Sequence, residues 1–128
     1  MKIGFLYNHD ALHQVSHTAP VVAALASNAR AEVTVLTSSD EQAARVRALI
    51  GAEAAANVRF VALEIGPIAR MLDVALRGVA PFRRLAVLRE NNAEFARLDA
   101  LVVPETTSLL LRDRFGLTDL KYVWIPHG

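Results

Sequence analysis

Four histidines are the side chains in this sequence best suited to moving protons near neutral pH. They sit close to its two ends, with His9, His13 and His17 recurring at four-residue spacing and His127 next to the last residue. Imidazole titrates near neutrality, and burial or a neighbouring carboxylate tunes it into a general base. Three chemistries fit the His9, His13, His17 series. The spacing puts all three on one helical face, as in a metal site, although no HExxH pattern accompanies them. They equally suit the polar, solvated start of a helix. They also suit a role in which at least one is a base or touches a substrate. His17 is followed by Thr18, Ala19 and Pro20 and then by an Ala-rich stretch. It is therefore expected just before a helix, with Thr18 as the cap and Pro20 in the first turn, beside the positive end of the helix dipole, a setting that suits a base.

Other polar residues fall near these histidines once the elements are read. An uninterrupted β-prone run at residues 2–7 reads as a buried strand, and residues 32–37, 58–63, 99–103 and 121–125 read as four further strands. Between the first two lies the helix after Thr18. Ser39 followed three positions later by Gln42 has capping-box spacing and opens a helix running to about Ala55. Residues 66–98 read as two helical stretches interrupted near Gly78 to Pro81. Thr106 or Thr107 is expected to cap a helix over Leu109 to Phe115, with Gly116 as its left-handed terminator. Strands alternating with helices argue for an α/β, Rossmann-like doubly wound parallel sheet of about five strands with helices on both faces.

Ligands of such sheets sit outside the carboxyl ends of the strands. All four histidines fall in the loops at that edge, and so do Asn8, Asp10, Glu105 and Thr106. Asn8 and Asp10 suit either an Asx turn or a substrate contact. Glu105 suits a substrate hydroxyl or a histidine partner, and the N–H groups of the following helix start suit an anion. The sequence ends on Pro126-His127-Gly128 straight after a strand, where a βα unit normally continues into a helix. Residues 1–128 are accordingly expected to form one domain, the N-terminal half of a longer protein.

Composition narrows the chemistry. The 128 residues include no Cys, which removes thiol catalysis, thiolate zinc sites and disulfides. Fourteen Lys and Arg balance thirteen Asp and Glu, with no excess of positive charge for nucleic acid. No Gly-x-Gly-x-x-Gly follows the first strand and no Walker A sequence occurs, so no cofactor of those kinds is expected. A receiver domain is disfavoured, because the third strand ends in Leu63-Glu64 and not in Asp. No signal peptide or membrane-spanning run is visible, and a cytoplasmic protein is expected. Residues 66–90 carry Arg70, Arg77, Arg83, Arg84 and Arg89 against Asp73 and Glu90, interleaved with apolar positions. That pattern fits an amphipathic layer whose apolar side packs on the sheet, or a peripheral contact with the anionic inner face of a membrane.

Two motifs carry a resemblance. His17-Thr18-Ala19-Pro20, a His-x-x-Pro leading into an Ala-rich helix directly after the opening strand, resembles the start of GT-B glycosyltransferases, with Ser16 where that motif often has Gly. Tyr122-Val123-Trp124-Ile125-Pro126-His127-Gly128 is similar to the strand and Trp-His-Gly motif of CDP-glycerol glycerophosphotransferases, with Ile125 and Pro126 inserted. The resemblance implies an acceptor-binding domain of a transferase that moves a sugar or polyol phosphate from a nucleotide-activated donor to a hydroxyl-bearing acceptor. In it His17 is the base and His127 meets the donor phosphate or reacting centre, with Gly128 beside it. Asn8, His9, Asp10 and His13 shape the acceptor site, and a further, C-terminal domain holds most of the donor. UDP-N-acetylglucosamine 2-epimerases share the architecture and remain an alternative. So does a non-catalytic α/β module that binds a small ligand or a partner.

Overall fold

A computed structural model describes residues 1–8, 12–76 and 82–126. Five parallel strands, β1 (Lys2–Tyr7), β2 (Glu32–Thr37), β3 (Val58–Ala62), β4 (Ala100–Val103) and β5 (Lys121–Trp124), form one sheet in the order β3-β2-β1-β4-β5. The helices are α1 (His13–Ala26), α2 (Asp40–Ala56), α3 (Pro67–Ala75), α4 (Phe82–Glu90), α5 (Asn92–Phe95) and α6 (Leu110–Asp113), with a 3-10 turn at Thr106–Leu109 before α6. This is the α/β, Rossmann-like architecture expected from the alternation of periods.

Side chains alternate across the sheet, and each face has its own core. Phe5, Tyr7, Val33, Val35 and Val102 point to the side covered by α1 and α2, where they meet Val15, Val22 and Val46. Leu6, Leu36, Leu101 and Val103 point to the other side and meet Val87, Leu88, Phe95 and Leu111. Burial on both faces is confined to the inner strands β1, β2 and β4, whereas the edge strand β5 is largely exposed. At Gly4 in the central strand, an added Cβ would lie 3.0 Å from the Leu36 and Leu101 side chains and closer still to Leu98. The core on the Leu36 and Leu101 side leaves no room there for a side chain.

The first helix departs from its expected start. It opens at His13, so Thr18 is no cap and Pro20 lies well inside it. Val15, Thr18, Ala19 and Val22 make a buried stripe at i, i+3, i+4 and i+7, and that stripe sets the helix. Thr18 joins the stripe because its Oγ1 meets the Tyr7 hydroxyl at 2.6 Å. Pro20 is tolerated on the exposed side, where the Ser16 carbonyl that loses its helical donor belongs to an exposed residue.

The Ser39 cap is as expected: its Oγ accepts the Gln42 N–H at 3.2 Å. The Gln42 carboxamide reaches one residue further back than in a standard capping box and accepts from Ser38 N at 3.0 Å and from Ser38 Oγ at 3.2 Å. The helix is not continuous to its end. Gly51, at φ 84° and ψ 164°, breaks it in a conformation essentially restricted to glycine. Further along, Glu105 and neither threonine caps the 3-10 turn, because a carboxylate accepts the Thr107 N–H more strongly than a hydroxyl would. The helix expected through Phe115 ends at Asp113, and Gly116 takes φ 77° beyond it while Leu117 N–H closes on the Leu111 carbonyl at 3.0 Å.

Candidate functional site

The strand order places the reversal point of this sheet between β1 and β4, because the chain winds outward through β2 and β3 on one side and through β4 and β5 on the other. The crevice outside the carboxyl ends of these two strands is the default ligand position for the fold. In the β1/β4 ladder Phe5 pairs with Val102. Continued in the same register, it brings Asn8 level with Glu105.

Both residues already have partners in the chain. Asn8 is buried, 4% exposed, and its Nδ2 donates to the Arg84 carbonyl of α4 at 3.2 Å. That bond ties the end of β1 to the helix layer on the far side of the sheet. The Glu105 carboxylate accepts from Thr107 N–H at 2.6 Å and from Ser108 Oγ at 2.5 Å. Of the N–H groups expected to be open to an anion at this turn, that of Thr107 is engaged. The chain's own carboxylate takes the Thr107 N–H, and its charge repels a second anion. Thr106 is the exposed first residue of the turn.

The histidines divide. His13 is the first residue of α1, so the setting expected for His17, beside the positive end of the helix, belongs to His13. His17 lies one turn further along the same face, and both are exposed. His9, Asp10, His127 and Gly128 lie outside the described residues, so the four-histidine cluster is not assembled among them. No group of three or more His, Cys, Asp or Glu side chains is placed to hold a metal ion among the described residues. Beside the start of α1, a cavity of about 410 Å³ is lined by Leu12, Glu41, Ala44 and Arg45. Glu41 and Arg45 were not singled out from the sequence; only the packing of the first turn of α2 beside α1 brings them to this edge.

Buried polar groups support the edge from below. Tyr7 ends β1, and burial pushes its phenol pKa up to about 12, with the Thr18 hydrogen bond offsetting part of that rise. Ser38 N–H donates to the Tyr7 carbonyl at 3.1 Å, which extends the β1/β2 ladder past its last pair. Gln14 and Gln42 are also buried. The sequence signals Gln42 only as a cap; its burial follows from the packing of α2 on β2.

The fold and this edge define a class, the Rossmann-like α/β domain whose strand order reverses between β1 and β4. Beyond that class, no family model matches the sequence, and comparison with curated proteins and with solved structures finds no match. No helix among the described residues is long and apolar enough to cross a membrane.

Proposed function

We propose that this chain is the acceptor-binding domain of a transferase that moves a sugar or polyol phosphate from a nucleotide-activated donor. The observation that carries the reading is the strand order, which reverses between β1 and β4, with the histidine-bearing helix α1 following β1. On this reading the protein is cytoplasmic and a hydroxyl-bearing acceptor lies over the β1 and β4 loops. An imidazole of His13 or His17 takes the hydroxyl proton. The freed oxygen attacks the activated carbon or phosphorus, and the nucleotide phosphate leaves. A second domain holds the donor, and the resemblance assigns His127 and Gly128 to its reacting end. Orientation between the two domains supplies much of the rate.

The test is a thermal-shift panel of UDP-, GDP-, CDP- and TDP-linked donors on the longest open reading frame containing this chain, with His13→Ala and His17→Ala in parallel. Stabilisation by one donor class is expected, together with a turnover loss of about 10²-fold or more in the variant that lacks the base. If no donor raises Tm, the reading fails. A second reading then gains, that of a non-catalytic small-ligand module. Its supporting observation is that the Asn8 amide and the Glu105 carboxylate are already bonded within the chain.

A further inference from the structure

Helix α3 is turned the wrong way for a helix of the core. Ile68 and Met71 are 75% and 73% exposed, Val74 and Leu72 are exposed as well, and only Ala69 is buried. The expectation that the apolar side of this region packs on the sheet holds for α4, through Ala86, Val87 and Leu88, but not for α3. Between the two helices and the segment Leu110–Phe115 lies a recess of about 860 Å³. Its apolar lining includes Ile68, Leu72, Phe82, Leu85 and Phe115.

The charged groups at its rim are unequal. Glu90 lines the recess and its carboxylate accepts the Gly66 N–H, so one carboxylate there stands against two guanidinium groups. Arg89 and Arg114 line it too, and neither guanidinium has an ion-pair or hydrogen-bond partner among the described residues. Arg70 on α3 is likewise unpaired, whereas Asp73 faces Arg83 at 3.8 Å. An apolar recess with two unpaired guanidinium groups at its lip is complementary to a molecule with an apolar body and an anionic end.

We infer that this recess binds a free, single-chain anionic amphiphile, an aliphatic carboxylate or monoalkyl phosphate, with its chain between α3 and α4 and its head on Arg89 and Arg114. The volume falls within the range of small-molecule sites, roughly 300–1,000 Å³. A flat bilayer would reach the outward residues Ile68, Met71 and Val74 but would not fill a recess walled by three segments. A second copy of this chain would bring like charge against like. The guanidinium fork matches the planar or tetrahedral oxygens of such a head. The site is separate from the β1/β4 crevice and does not depend on the transferase reading.

The experiment titrates the protein with decanoate and with decyl phosphate, both kept monomeric. Decanol supplies the chain without charge and inorganic phosphate the head without a chain. Binding is read by backbone amide NMR shifts and by Tm. Saturable binding of the two acids is expected, with shifts centred on α3, α4 and the Arg114 segment. Decanol and inorganic phosphate should bind about tenfold more weakly or worse. Leu72→Glu, at an exposed position, and the charge-neutralising pair Arg89→Gln with Arg114→Gln should each lower affinity by about fivefold or more, with circular dichroism confirming the fold. Equal binding of decanol overturns the proposal, as do undiminished binding in these variants and absence of saturable binding. Phosphatidylglycerol vesicles and an acidic amphipathic helical peptide are run beside them. Capture of either one, lost in the same variants and unaccompanied by binding of the monomeric acids, assigns the face to a bilayer or to a protein and overturns the proposal as well.

Discussion

The two faces of this sheet are covered by different means. On one, α1 and α2 run for 14 and 17 residues and lay a buried stripe of Val15, Val22 and Val46 on the strands. On the other, four shorter helices share the work, and one of them, α3, leaves most of its apolar side chains in solvent. Of the long pair α1 turns its apolar stripe inward as amphipathic periodicity predicts, whereas α2 buries only Gln42 and Val46. The short set shows that an equally apolar helix can be held to the fold by a few contacts, here Ala69 and the Gly66–Glu90 bond, while its stripe serves as a wall for something else. Periodicity identifies a helix; it does not say which neighbour covers it.

Truncation separates a residue that closes the second core from one that only stands on it. Phe95, fully buried, is expected to lose about 3–5 kcal/mol on mutation to Ala, measured by urea unfolding. A loss below about 1 kcal/mol would mean that the short-helix face is loosely packed throughout.

The α1/α2 face carries a pH dependence that arises at Tyr7. Its phenol titrates at about 12 in the fold against 10.0 when unperturbed, so between these values the unfolded chain releases a proton that the folded chain keeps. Stability from this group is complete below about pH 10 and falls by about 2–3 kcal/mol as pH rises through 12. Tyr122, also raised by burial, adds a drop of the same sign from the other face. Urea unfolding of Tyr7→Phe from pH 9 to 12 should retain only the Tyr122 part.

Gly51→Ala forces a Cβ into φ 84°, ψ 164° with nothing within 4 Å to clash, so its cost is backbone strain alone, about 1–3 kcal/mol in a thermal melt. A neutral result would show that the break in α2 moves or heals. Smallest of all, Met71→Gln on α3 should change stability by no more than about 0.5 kcal/mol. A larger loss would place Met71 in a contact with residues outside those described.

Much of the fold was legible because the three inner strands, β1, β2 and β4, are buried on both sides, while the edge strands β3 and β5 were legible from their β-branched and aromatic residues although β5 leaves Val123 and Trp124 exposed. β1 and β2 have the bounds expected of them, and β3, β4 and β5 differ by one residue each. The misreadings came from side chains with two possible duties. Thr18 looked like a cap and is a buried partner of Tyr7, and that shifted the start of α1 by several residues and moved His17 away from the helix end. Thr106 and Thr107 looked like caps, and Glu105 does the capping. The candidate edge was legible from the rule that loops follow strands. The strand order that picks β1 and β4 was not, since β1 pairs with residues about a hundred positions away and no local pattern encodes that choice.

That pairing also sets an order of events during synthesis. β1 leaves the ribosome well before β4, so Ile3, Gly4 and Phe5 must wait for Ala100, Leu101 and Val102 before their second edge is closed. At about 5–20 residues per second the delay is on the order of 5–20 s. Through that interval an apolar strand with one open side is exposed to any other nascent chain, and non-local parallel pairing is slow to rescue it. The element that centres the finished sheet is therefore the one most in need of shelter while the chain is being made.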